Sequence, residues 1–149
     1  MIAMHQHAQR LRSTVIDAAQ RLADLAEADV AHKPAPTRWS KKEILGHLVD
    51  SACNNHQRFV RAQLEGRLRF PGYEQEGWAR CQDYADADWS LLLRLWRDYN
   101  LHLANVIARI PEDRATTSCE IGDNPAVTLE FLVEDYVRHM EHHLRQLDR

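Results

Sequence analysis

His139-Met140-Glu141-His142-His143 lies within residues 129–147, where Leu129, Leu132, Val133, Tyr136, Met140, Leu144 and Leu147 recur at the spacing of a helix with one buried face. Stepping from Leu132 and Tyr136 by three or four residues lands on His139, His143 and Leu147, so two imidazoles stand in a row where leucines are expected. Four residues apart, they point from successive turns toward one spot, the arrangement a transition metal requires of a rigid element. A core pair of histidines bonded to neighbouring groups would show the same spacing, and a metal site needs a third ligand from elsewhere in the chain. His142, about a hundred degrees round the helix, is expected to face water.

Three further helices lead up to this one. Leu11, Val15, Ala18, Leu22, Leu25 and Ala26 give a first amphipathic helix from about His5 to Asp29, ended by Pro34 and Pro36. Ser40-Lys41-Lys42-Glu43 is a capping box, with Trp39 and Ile44 as its hydrophobic staple, so a second helix starts at Lys41. Its core row of Ile44, Leu45, Leu48, Ala52, Phe59 and Ala62 ends near Leu64. His47 borders that row, and beside it runs a polar stripe of Asp50, Ser51, Asn54, Asn55 and Arg58. Such a stripe is either the wetted edge of a surface helix or the lining of a cavity. Residues 65–87 have no sustained period and form a long crossover, with a short helical turn around Gly77–Gln82. Asp86 or Asp88 caps a third helix that Pro111 stops; residues 114–127 form a loop with at most a minor hairpin, and Thr128 caps the fourth helix.

These elements predict an all-α protein: an antiparallel four-helix bundle, residues 1–149 forming a single domain, with a long crossover between helices 2 and 3. Antiparallel packing of the second and fourth helices would bring His47 to His139 and His143. A hydrophobic content of 44% suffices for one core, and five glycines favour helices over a turn-rich β protein. A formal charge of −3 argues against a nucleic-acid partner, and no apolar run is long enough to cross a membrane. The N-terminal residues lack the apolar segment of a signal peptide, and the three cysteines, Cys53, Cys81 and Cys119, are widely spaced, so a cytoplasmic protein with reduced thiols is expected.

Trp39-Ser40-x-x-Glu43-Ile44-Leu45-x-His47-Leu48-x-Asp50, followed by Asp135-Tyr136-Val137-x-His139-x-x-His142-His143-Leu144-x-Gln146, resembles the DinB-like superfamily (DinB/YfiT) of four-helix-bundle proteins across nearly the whole chain. The resemblance implies that His47, His139 and His143 bind one divalent metal, nickel or zinc, inside the bundle. It implies a metal-dependent enzyme acting on a small molecule, with transfer of a low-molecular-weight thiol as the leading reaction, hydrolysis next, and a non-catalytic metal-binding protein as the alternative. Family habit also implies a homodimer.

Three imidazoles leave at least one coordination position open, as in catalytic rather than closed structural sites. The H-E-x-x-H arrangement of zinc peptidases is absent, because Met140 follows His139. Candidate helpers lie on the second helix. Asp50 could orient a ligand imidazole or be an exposed carboxylate; Asn54 lies a turn further on; Arg58 could bind a substrate carboxylate or form a surface ion pair. Tyr73 and Trp78 could cap the cavity or only pack the crossover down. Cys53 reads as a small core residue, and neither Cys81 nor Cys119 has an activating neighbour.

Overall fold

A computed structural model describes residues 2–149. Six helices and three short strands follow in the order α1 (Ile2–Leu22), α2 (Glu27–Ala31), α3 (Lys41–Leu64), β1 (Arg67–Phe70), α4 (Gln75–Cys81), α5 (Trp89–Ala108), β2 (Ser118–Ile121), β3 (Val127–Thr128) and α6 (Leu129–Leu147), with 3-10 turns at Tyr84–Asp86 and Glu112–Arg114. The long helices α1, α3, α5 and α6 form the four-helix bundle that the apolar periodicity predicts.

The bundle is a square in which α1 and α3 stand diagonally, each packed against α5 and α6. Side-chain pairs give the chain directions. Arg12 bonds Asn105 and Trp89 reaches Leu22, so α1 and α5 are antiparallel. His7 faces Glu130 and Arg21 faces Asp148, so α1 and α6 run together. Lys41 reaches the carbonyl of Arg149 while Phe59 packs on Tyr136, which sets α3 and α6 antiparallel. It follows that α3 and α5 point the same way, and the long crossover is what returns the chain to the starting end of the bundle.

Local chemistry explains the helix boundaries. The Ser40 hydroxyl accepts from the Glu43 amide and the Glu43 carboxylate accepts from the Ser40 amide, the reciprocal cap expected. Asp88 and Thr128 cap α5 and α6 in the same way from one side. The first helix ends at Leu22 rather than running to Asp29: the Trp89 indole donates to the Leu22 carbonyl at 2.9 Å, satisfying an end-of-helix acceptor, and the chain turns so that Val30 of α2 folds back into the core.

The other departure is the small sheet. β2 and β3 make the minor hairpin, but β1 pairs with β2 in parallel, Arg67 opposite Ser118 and Phe70 opposite Ile121. Leu68 and Cys119 are fully buried where the strands meet. A four-residue strand flanked by arginines has no internal signal of its own; its partner, fifty residues away, makes it a strand. The sheet ties the start of the crossover to the loop before α6. From there α4 and the following turn run back along the α3/α6 side. No helix is long and apolar enough to cross a membrane among the described residues.

Candidate metal centre

His47 stands two turns into α3 and His139 and His143 near the end of α6, so the antiparallel packing of these helices puts all three at one level. One nitrogen from each ring lies within 4.8 Å of the others. The His139 and His143 rings are edge to face with centroids 4.5 Å apart, and their Nε2 atoms approach to 3.1 Å. His47 faces both, with centroids at 5.6 Å from His139 and 4.9 Å from His143. His142 points to solvent, as its helical phase requires.

The chemistry of this set fits a divalent ion. Two nitrogens held at the ordinary 2.0–2.1 Å from one ion are about 3.3 Å apart on a tetrahedron and about 2.9 Å apart on an octahedron, and the observed 3.1 Å falls between them. His143 Nδ1 donates to Gln146 Oε1 at 2.9 Å, which leaves its Nε2 lone pair directed at the cluster. His47 is 1% exposed, yet neither of its ring nitrogens has a hydrogen-bond partner. An orphaned buried imidazole costs about 1–3 kcal/mol, and a metal ligand removes that cost. Burial, reinforced by the neighbouring imidazoles of His143 and His139, pushes the His47 pKa down to about 4, and burial lowers those of His139 and His143 as well. All three rings are therefore neutral at neutral pH, as metal ligation requires.

Two cavities border the cluster from different sides. The larger, about 590 Å³, lies beside His143 and Gln146 and is walled by Trp39, Ile44, Arg38 and Glu76. The smaller, about 270 Å³, lies beside His139 under the crossover, with Ser51, Asn55 and Arg58 on its α3 wall. Trp39 belongs to the site as well as to the staple. Its ring packs against His47 with centroids 5.2 Å apart, and its indole donates to Glu76 of α4.

The α3 helpers divide differently from the sequence expectations. Asp50 is neither an exposed carboxylate nor a partner of an imidazole. It is 3% exposed, and its Oδ1 accepts from Tyr84 at 2.6 Å and Gln82 at 3.0 Å, both in the crossover. Burial raises its pKa. Asn54 is also buried, and its amide donates to the Asp50 backbone carbonyl, an interaction internal to the helix. Arg58 makes no surface ion pair among the described residues, and its Nε lies buried without a partner. The polar stripe is thus cavity lining and a crossover anchor, not a wetted edge.

Tyr73 lines the smaller cavity and packs on Trp78, ring centroids 5.2 Å apart, while Trp78 itself lines neither cavity. Burial pushes its hydroxyl up to about 12. Cys53 is half-buried rather than a full core residue, and Cys119 is sealed in the sheet with its thiol pushed up to about 11. Sequence reasoning gave no role to Gln146, Tyr84 or Gln82. Gln146 had a detectable signal, three residues after His143 on the same helix face; the other two depend on the course of the crossover.

The sequence profile of the DinB superfamily matches residues 10–147. YfiT of Bacillus subtilis, named as an inferred metal-dependent hydrolase, is 24% identical over 110 residues, covering 73% of this chain and 62% of its own. A relative from Oceanobacillus iheyensis with the same kind of name is 23% identical over 109 residues, again 73% and 62% of the two chains. The chain thus spans somewhat under two thirds of the length of these two relatives. Among solved structures, YfiT of Bacillus subtilis, described as having an unusual four-helix bundle topology, superposes with a TM-score of 0.83 at 21% identity, covering 95% of this chain and 81% of that one. A DinB-like protein from the same organism gives a TM-score of 0.56 at 16% identity, covering 98% and 92%. At these identities the structural likeness establishes the fold.

Proposed function

The chain belongs to the DinB superfamily, and from that membership we propose that it is a metal-dependent hydrolase of a small molecule, with His47, His139 and His143 holding one zinc or nickel ion. The observation that carries the proposal is the buried His47 ring, both of whose nitrogens lack a partner within reach of two other imidazoles. Hydrolysis is preferred to thiol transfer because the relatives are named as inferred metal-dependent hydrolases.

A divalent ion in such a site supplies Lewis acidity and makes a water acidic enough to attack near neutral pH. The protein's own groups prepare for it. Gln146 fixes the His143 tautomer by accepting from Nδ1, so that Nε2 faces inward. Trp39 packs against the His47 ring, and burial keeps that ring uncharged. Glu76 brings a carboxylate to the wall of the larger cavity, where it can take up a proton from a reacting group. Glu141, the acidic residue closest in sequence to a peptidase glutamate, is bonded to Arg10 instead.

The test is metal content and ligand exchange on protein purified without a histidine tag. One divalent ion per chain is expected, and the cobalt-substituted protein should change its visible spectrum when azide is added. Hydrolysis of small activated esters and amides should follow the metal and vanish in His143→Ala. A protein that retains no ion, or a cobalt form indifferent to azide, removes the catalytic reading.

A further inference from the structure

Arg58 lies eleven residues beyond His47 on α3, about 16 Å of helical rise. Helical side chains lean toward the N-terminus of their helix, and Arg58 lines the same smaller cavity as His139. Tyr73 and Gly72 of the crossover line it too. The guanidinium carbon lies over the Phe70 ring, 5.5 Å from its centroid. Its Nε is buried and unpartnered. Asp135, the acidic residue that shares the cavity, bonds Arg138 at 2.7 Å. Burial disfavours the charged form of Arg58.

A half-buried arginine that makes no ion pair among the described residues, in a cavity beside a candidate metal centre, presents a planar fork to a planar anion. A carboxylate matches it with two parallel hydrogen bonds. The cavity volume of about 270 Å³ suits a short organic acid. We propose that Arg58 docks a carboxylate of the substrate, so that the protein acts on small organic acids whose reacting bond lies several bonds from the carboxylate. The reacting bond rests on the hydrolase reading; the docking of the carboxylate does not.

The experiment compares hexanoate with hexanamide, equal in length and differing in charge, by isothermal titration calorimetry. Proteins are the wild type, Arg58→Gln and Arg58→Lys, each also in the His143→Ala background, where a carboxylate has no complete three-histidine site to bind. Circular dichroism melts confirm that each variant is folded. Hexanoate should bind the wild type at least tenfold more tightly than hexanamide. Arg58→Gln should abolish the difference in both backgrounds, and Arg58→Lys, which keeps the charge but not the fork, should retain part of it. Equal binding of the two probes to the wild type, no hexanoate binding at all, or a preference that survives Arg58→Gln overturns the proposal. A preference already lost in His143→Ala with Arg58 intact also overturns it, because the carboxylate is then recognised through the metal centre. A charge preference that tracks Arg58 while no ester or amide is hydrolysed would retain the carboxylate site and reject the hydrolase; ester hydrolysis indifferent to Arg58 would do the reverse.

Discussion

Replacing Gly46 by alanine should destabilise the protein although alanine is the better helix former. Gly46 lies inside α3, next to His47, and the Tyr84 ring of the crossover sits directly on it. A Cβ added there would lie 2.2 Å from Tyr84 Cγ and 2.3 Å from Cδ2, against an ordinary carbon contact of about 3.5–4.0 Å. The ring cannot simply withdraw, because its hydroxyl donates to Asp50 Oδ1 at 2.6 Å and the side chain is buried. Overpacking costs about 1–3 kcal/mol. Loss of the hydrogen bond to the buried carboxylate adds about 1.5–3 kcal/mol, and the gain in helix propensity returns about 1 kcal/mol. A net loss of roughly 2–5 kcal/mol follows, which at about 2–4 °C per kcal/mol for a chain near this size means a Tm lower by roughly 4–20 °C. Scanning calorimetry and urea unfolding followed by circular dichroism measure it. The same substitution in a Tyr84→Ala background meets no ring and should be neutral or slightly stabilising. Equal costs in the two backgrounds, or no cost in the wild type, would refute the packing argument.

Further outcomes concern the cluster and the cap. Gln146→Leu, which removes the acceptor at His143 Nδ1, should weaken zinc or nickel binding about 10–100-fold with little change in fold; competition with a chromophoric chelator reads this directly. Zinc supplied at about a hundred times its dissociation constant should stabilise the metal-free protein by about 2.7 kcal/mol, and His47→Ala should erase that gain in a thermal-shift titration. In metal-free protein the sign of the pH effect is fixed by His47. Its folded pKa, about 4, lies below the ordinary 6.5. The stability it contributes is present above pH 6.5 and is lost as pH falls toward 4, about 3 kcal/mol at most. Urea midpoints across that window should show a weaker acid dependence for His47→Leu. Ser40→Ala, which breaks the capping box, should cost about 1 kcal/mol without touching metal affinity.

The amino-acid sequence determines whatever depends on spacing within one segment. The four amphipathic periods gave four long helices, Ser40 and Glu43 fixed the start of α3, and the four-residue spacing of His139 and His143 put both on one face of α6. Those features are set by residues one turn apart, so they survive without knowledge of the rest of the chain. Contacts between distant segments followed other rules. β1 became a strand only because β2 lies beside it, and α1 stopped at Leu22 because Trp89 claimed its carbonyl. The α3 stripe of Asp50, Ser51 and Asn55 turned inward because Tyr84, Gln82 and Tyr73 of the crossover lie over it. The crossover carries little periodicity, and its path is decided by what it can bury and bond once the bundle exists. Periodicity thus places the histidines on their helices, while only tertiary packing can show that His47 has no partner of its own and that Arg58 shares a cavity with His139.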